Sequence, residues 1–180
     1  KYSKLDLSSP YFILIQHPVT TEFDQSRKQM EKTLNALQEI GTQTILIYPN
    51  PDAGSDEMVR AIRNYKYKNR KDAVIQDVHK NIPFDLFLNL LKYCSCLVGN
   101  SSSGIREAHM FNTPVVNIGT RQTNRERTSN IVDVGHCKED IKIGINKALK
   151  LKKDIEENNI YGDGTAGKKM AKILAQINIE

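Results

Sequence analysis

Residues 11–16 read Tyr-Phe-Ile-Leu-Ile-Gln, an almost continuous apolar run that ends just before His17. Such a run is typical of a β-strand buried on both faces, as strands are in a parallel sheet. Working outward, a helical pattern over 21–41 is followed by a second apolar run at 44–48. This order predicts two buried strands joined by a helix.

The alternation of strand and helix patterns continues along the chain. Further strands are predicted at 73–78, 96–98, 115–118 and 130–134, and helices at 55–64, 84–91, 102–111, 138–153 and 165–177. Strands that alternate with helices across short loops indicate an α/β fold, and right-handed crossovers make it a doubly wound, Rossmann-like parallel sheet of about six strands. Because no repeat or linker interrupts the pattern, we predict a single domain over 1–180.

The composition is that of an ordinary folded domain, with 180 residues, 39% hydrophobic and 26% charged. The net charge of +5 suits a ligand that carries phosphate, but it is too small to predict a nucleic-acid surface. The basic stretch 65–71 is therefore interpreted as a solvated connection, and no nucleic-acid partner is expected.

The three cysteines, Cys94, Cys96 and Cys137, cannot all pair with one another, which favours a reducing, cytoplasmic setting. Cys94 and Cys96 have the wrong spacing for a zinc-binding pair, so we expect neither a metal nor a cofactor. The apolar runs are too short to span a bilayer. Because the chain opens on Lys1 and reaches a strand pattern by Tyr11, we expect it to be part of a longer protein.

Ligands of a doubly wound sheet bind beyond the carboxyl ends of the strands, so the residues that follow each strand are candidates for function. The most informative segment is Gly99–Gly104, Gly-Asn-Ser-Ser-Ser-Gly, between a short apolar strand and a predicted helix. Glycines allow tight turns, serines supply hydroxyl donors, and the first N–H groups of a helix are unsatisfied. Together they predict a phosphate or diphosphate site; the alternative is that Ser101 or Ser102 only caps the helix.

Basic side chains follow two other predicted strands. His17 ends the first strand, where an imidazole is suited to bind phosphate or to transfer a proton. Arg121, Arg125 and Arg127 lie in the loop after the 115–118 strand. Guanidinium groups are the usual partners of phosphate oxygens, although a loop with three arginines is often simply solvated.

A carboxylate and an amide complete the predicted site. Glu107 lies four residues after Ser103, and so on the same face of the predicted helix. It is placed to accept hydrogen bonds from sugar hydroxyls; the alternative is an exposed residue paired with a basic side chain. Asn50 follows the second predicted strand at the same edge of the sheet.

Five stretches are specific enough to indicate a family. In chain order they are His17–Glu22 (HPVTTE), Pro49–Ser55 (PNPDAGS), Gly99–Glu107 (GNSSSGIRE), Gly119–Gln122 (GTRQ) with Arg125, and Tyr161–Gly164 (YGDG). With these residues the sequence resembles the carboxyl-terminal half of UDP-N-acetylglucosamine 2-epimerases, and within them the hydrolysing branch that makes N-acetylmannosamine for sialic acid synthesis. The resemblance covers nearly all of 11–177.

The resemblance implies the nucleotide-binding second domain of a fold with two Rossmann-like domains, as in GT-B glycosyltransferases. The UDP-binding residues implied by matching motif positions are His17, Asn50, Ser101, Ser102, Glu107 and Arg121. The two serines hold the diphosphate, Arg121 and His17 neutralise it, and Glu107 binds the ribose. The family also implies a UDP-sugar substrate and a homo-oligomer, dimer or tetramer, at full length.

The family reaction removes the C2 proton of the sugar and eliminates UDP to give a 2-acetamidoglucal, to which water adds to release N-acetylmannosamine. His17 is the expected general acid for the departure of UDP. The carboxylates that move the C2 proton belong to the first domain in the family. This chain alone is therefore expected to bind UDP but to turn over little or no substrate.

Other interpretations stay open at this stage. Arg60 and Arg63 match a segment that animal members of the family use for feedback inhibition by CMP-sialic acid, but an exposed helix face also carries pairs at this spacing. The same diphosphate site would serve a GT-B-type glycosyltransferase or a non-catalytic nucleotide-binding module. The exact sugar, N-acetylglucosamine or a 2,4-diacetamido analogue, is not determined by these residues.

Overall fold

The computed structural model of the protein describes residues 5–151 and 160–177. Strands and helices alternate as the sequence predicts. The strands are β1 (Phe12–Ile15), β2 (Thr44–Ile47), β3 (Ile75–His79), β4 (Cys96–Gly99), β5 (Val115–Ile118) and β6 (Ile131–Val134). The helices are α1 (Ser26–Ile40), α2 (Ser55–Lys68), α3 (Phe84–Tyr93), α4 (Lys138–Ala148) and α5 (Ala166–Leu174), with 3₁₀ segments at Thr20–Gln25, Ser102–Gly104 and Ala108–Phe111.

The strands form one parallel sheet in the order β3-β2-β1-β4-β5-β6. β1 is central, and its Ile13 pairs with Ile45 of β2 on one side and Leu97 of β4 on the other. The chain runs outward from β1 to β3 and then crosses back to begin β4, so the strand order reverses between β1 and β4. The prediction of a doubly wound, Rossmann-like sheet is confirmed, and this reversal is where such sheets bind ligands.

Alternate residues of β1 enter two separate apolar layers. Phe12 and Leu14 pack with residues of α1, α2 and α4, whereas Ile13 and Ile15 pack with residues of α3. None of the four is more than 5% exposed. Burying an apolar side chain of this size stabilises the fold by about 1.5–3 kcal/mol, so a strand covered on both faces requires an apolar residue at every position.

The predicted α-helix over 102–111 is wrong. The segment forms two short 3₁₀ turns, and its backbone hydrogen bonds change between three-residue and four-residue spacing. Serine favours such local alternatives, since its hydroxyl competes for backbone groups, and the Ser101 side chain accepts the Ser103 N–H at 3.3 Å. The segment Gly99–Gly104, called the serine loop below, is therefore not followed by a long helix, and an anion there would be held by local N–H and hydroxyl groups.

Among the other boundaries, three helix ends differ most from the predictions. α1 begins at Ser26, although the helical pattern starts at residue 21, and Phe23 in the preceding 3₁₀ turn is 55% exposed. α2 continues to Lys68, which places half of the predicted basic loop on a helix. α4 ends at Ala148, and the end of the predicted 138–153 helix lies outside the described residues.

Two findings concern the described residues as a whole. No helix among them combines the length and the apolar content that crossing a bilayer requires. No group of three or more His, Cys, Asp or Glu side chains in 5–151 and 160–177 is arranged to hold a metal ion.

Candidate functional site

The loops after β1 and β4 are joined by one buried side chain. Asn100, only 1% exposed, donates from Nδ2 to the His17 carbonyl oxygen at 2.9 Å and accepts the His17 N–H on Oδ1 at 2.7 Å. Gly99 precedes it with a φ of +130°, and a side chain there would collide with the Ile15 carbonyl oxygen. Glycine therefore allows the two loops to approach closely enough for the asparagine to bridge them.

His17 is held in one tautomer at this junction. Its Nδ1 accepts the Asn50 backbone N–H at 3.0 Å, so in the neutral ring the proton is on Nε2. The pKa of His17 is lowered to about 4, mainly by burial and also by the positive charge of Arg121, while Asp52 opposes the shift. The ring is therefore a neutral hydrogen-bond donor near pH 7.

A cleft of about 420 Å³ opens beside these loops at the carboxyl edge of the sheet. Its polar wall contains His17, Asn50, Ser101 and Ser103, and the rest is lined by Ile15, Ile47, Tyr48, Lys80, Asn81, Ile82, Pro83, Phe84 and Phe87. Three of the residues predicted from sequence are thus brought together. Ser103 takes the place in the cleft wall that was expected of Ser102, which is not among the lining residues.

Lys80 and Phe84 are cleft residues that the sequence analysis missed. They follow β3, and Phe84 keeps 64% of its surface exposed although it is aromatic. The rule that directed attention to strand ends applies equally to 80–84. Taking five or six residues after β3 as candidates, instead of only the first, would have included both Lys80 and Phe84.

Arg121 lies next to the bridge between the loops. Its Nη1 donates to the Asn100 carbonyl oxygen at 3.3 Å, and the adjacent Gln122 Nε2 donates to the same oxygen at 2.7 Å. Arg127 has a structural role instead, because it pairs with Asp133 at 2.9 Å. Arg125 is exposed. Arg121 is not among the residues that line the cleft, but of the three arginines in the loop it is the one that contacts the adjacent Asn100.

Glu107 is not among the residues that line this cleft. It lines a second cleft of about 750 Å³ with Arg106, His109, Met110 and the turn at Tyr161–Gly164. Glu107 Oε2 is buried and has no hydrogen-bond partner among the described residues. This oxygen is thus an unsatisfied acceptor, but Glu107 and Ser101 line different clefts.

Arg60 and Arg63 have different surroundings on the surface of α2. Arg60 pairs with Glu57 at 2.8 Å, and its side chain is 65% exposed, as the exposed-pair interpretation predicts. Arg63 lines a third cleft of about 440 Å³, which it shares with Lys80 and Tyr48. A shared role of the two arginines in binding an anionic ligand stays a prediction.

The parallel sheet order is that of a Rossmann-like α/β fold, and the cleft at its reversal point is the candidate ligand site. Residues 2–175 match the family described as UDP-N-acetylglucosamine 2-epimerase, and the chain belongs to that family.

Curated relatives extend the match. The chain is 34% identical over 165 residues to a UDP-N,N'-diacetylbacillosamine 2-epimerase (hydrolyzing) of Legionella pneumophila, covering 92% of this chain and 42% of the relative. It is also 34% identical over 155 residues to a UDP-N-acetylglucosamine 2-epimerase of Neisseria meningitidis, covering 86% and 40%. The chain therefore spans about two fifths of the length of these relatives.

A solved structure agrees on the fold. A UDP-GlcNAc 2-epimerase from Methanocaldococcus jannaschii, in complex with UDP-GlcNAc and UDP, superposes with a TM-score of 0.71 at 17% identity. The match covers 92% of this chain and 45% of that one. This sheet is therefore one Rossmann-like half of a GT-B-like architecture.

Proposed function

We propose that this chain binds the UDP part of a UDP-N-acetylhexosamine as the nucleotide domain of a hydrolysing 2-epimerase. The observation that carries the proposal is the convergence of His17, Asn50 and Ser101 in one cleft at the reversal point of the sheet, with Arg121 beside it. Two relatives named as hydrolyzing enzymes support the choice of branch.

The diphosphate takes the polar wall of the cleft. Ser101 and Ser103 offer hydroxyl donors, His17 donates from Nε2, and the Arg121 guanidinium supplies positive charge. A diphosphate beside His17 raises the pKa of the ring, because a nearby negative charge favours the imidazolium form. In that form His17 can act as general acid when UDP departs.

The base of the nucleotide takes the apolar end of the cleft. Phe84 presents an exposed ring beside Ile82 and Pro83, and an aromatic face stacks on a pyrimidine. Glu107 stays the proposed partner of the ribose hydroxyls, because its Oε2 lacks a partner among the described residues. The ribose lies between the base and the diphosphate, so this assignment requires the Glu107 side chain to turn from the second cleft toward the first when UDP binds.

Elimination of UDP leaves negative charge on the diphosphate, so donors already held in place lower the barrier for that step. Removal of the C2 proton needs a base, and His17 is unsuited to it, since Nδ1 is occupied and Nε2 carries the proton. No carboxylate belongs to the described lining of this cleft. We therefore propose that the base lies on another part of the full-length enzyme and that this chain alone binds UDP with little or no turnover.

The substrate class is a UDP-linked N-acetylhexosamine, with N-acetylglucosamine preferred and a 2,4-diacetamido sugar as the other outcome of a substrate assay. The product, N-acetylmannosamine, would supply sialic acid synthesis. A cytoplasmic location agrees with the exposed Cys137 thiol. At full length we propose a homo-oligomer, dimer or tetramer, which sedimentation measures directly.

Calorimetric titration of the 180-residue chain with UDP, and with ADP as control, tests the proposal. We expect UDP to bind in the micromolar to millimolar range with clear preference over ADP. A folded chain that binds neither nucleotide would contradict the assignment. UDP binding together with an inactive full-length protein would instead indicate a non-catalytic nucleotide-binding module.

A further inference from the structure

Glu22 joins three elements next to the proposed diphosphate site. Its Oε1 accepts the Thr120 hydroxyl at 2.7 Å, and its Oε2 accepts Gln29 Nε2 of α1, also at 2.7 Å. His136, in the loop after β6, brings Nε2 to 3.8 Å from Glu22 Oε2. The side chain is 31% exposed, and the hydrogen bond from Thr120 lowers the pKa of this carboxyl, so it is ionised near pH 7.

Thr120, which donates to Glu22, lies in the loop after β5 and directly precedes Arg121. Gly119 turns this loop with a φ of +74°, and any side chain there would collide with the His136 ring. On the far side of Arg121, Gln122 is 1% exposed and donates to the Asn100 carbonyl oxygen at 2.7 Å. Arg121 is therefore held between two anchors, one at Thr120 and one at Gln122.

We infer that Glu22 is a positioning residue, which holds Arg121 toward the proposed diphosphate site by fixing Thr120. The inference rests on the proposed function for its ligand. Glu22 is not among the residues that line the cleft, and a carboxylate in contact with a diphosphate would repel it. Its effect on binding is therefore transmitted through the Gly119–Gln122 loop.

The variants Glu22→Ala and Thr120→Val each remove one side of this anchor. We expect each to raise the Kd for UDP about 3–10-fold, the range that corresponds to one net hydrogen bond. The double variant should bind UDP no more weakly than either single variant, because both substitutions remove the same interaction. In an Arg121→Ala background, Glu22→Ala should have no further effect.

Two matched variants separate positioning from general damage. Glu22→Gln keeps an oxygen for Thr120, and the Gln29 amide can rotate to offer its Oε1, which has no partner among the described residues. Asp24→Ala removes an exposed carboxylate from the same 3₁₀ segment, where it only accepts from neighbouring Gln25 among the described contacts. Both should bind UDP within about twofold of the original chain.

Hydrogen exchange at the amides of 119–122 gives a readout that needs no ligand. Faster exchange in Glu22→Ala and Thr120→Val, with Asp24→Ala unchanged, is the expected result. The original chain could fail to bind UDP while exchange at these amides still increases in the two variants. That result would contradict the proposed function but support the role of Glu22 in holding the loop. Unchanged exchange, or a Kd unaffected by Glu22→Ala and Thr120→Val, would overturn the inference.

Discussion

The two clefts beside the serine loop differ in how firmly their polar groups are held. In the cleft at the β1–β4 reversal, Asn100 bridges to His17 and Asn50 fixes the His17 ring. In the cleft beside Tyr161–Gly164, the buried Glu107 Oε2 has no partner in the described residues, and the following helix α5 buries no residue. The first cleft is preorganised for a ligand, whereas the second offers an acceptor that a ligand or another part of the protein must satisfy.

Alanine substitution at two glycines, one near each cleft, should cause very different losses of folding stability. Gly99→Ala should lower the free energy of unfolding by more than about 3 kcal/mol, because the new methyl group would collide with backbone at Ile15. Gly162 also has a positive φ, of +94°, but no atom of the described residues lies within 4 Å of the position of its missing side chain. Gly162→Ala should therefore cost only about 1–2 kcal/mol of backbone strain.

Urea unfolding of both alanine variants measures this difference. Equal losses of stability would contradict the view that the first cleft is the tightly packed one.

The next prediction concerns how folding stability depends on pH through the ionisation of His17. Because the folded pKa of about 4 lies below the ordinary value of 6.5, the unfolded chain binds more protons between these values. The contribution of His17 is fully present above pH 6.5 and is lost as the pH falls to about 4, up to about 3 kcal/mol in all.

His17→Gln should flatten this part of the stability curve, measured by unfolding in urea from pH 4 to pH 7.5. Burial also lowers the pKa of His136, so His136 makes stability fall as the pH falls, in the same direction as His17. The His17 variant therefore removes only part of the slope. A slope identical to that of the original chain would show that His17 is not buried neutral.

Arg121→Ala is expected to raise the Kd for UDP about tenfold or more, as loss of a hydrogen bond to a charged group does. Arg125→Ala is the matched control, because it removes the same charge from an exposed position of the same loop. Calorimetry at fixed ionic strength compares the two. Equal weakening by both would mean that only net charge matters.

Glu107→Gln should have the smallest effect, about fivefold on the Kd for UDP, because an amide oxygen still accepts a hydroxyl. The affinity for UDP is compared with the affinity for inorganic diphosphate, which lacks the nucleoside. A change in the ratio of the two affinities shows that Glu107 acts on the nucleoside. An unaltered affinity would separate the second cleft from the UDP site and sharpen the contrast between the two clefts.

Much of the fold could be read from local pattern. Apolar runs such as 11–16 have few alternatives to a buried strand, because every residue must be covered. The predicted helix at 102–111 failed because three serines and a glycine offer the backbone other hydrogen bonds, such as that from Ser103 N–H to Ser101 Oγ. Lys80 and Phe84 were missed because neither residue type signals a ligand by itself.

The alternation of elements, the buried character of β1 and the family motifs depend on neighbouring residues and can be read from the sequence. Which motifs meet depends on packing between distant parts of the chain. Glu22 and Thr120 are 98 residues apart, yet strand order makes them hydrogen-bond partners. The same order brings Asn100 to His17 and leaves Glu107 in a different cleft. Sheet order arises from packing and crossover handedness over the whole chain, which no local pattern encodes.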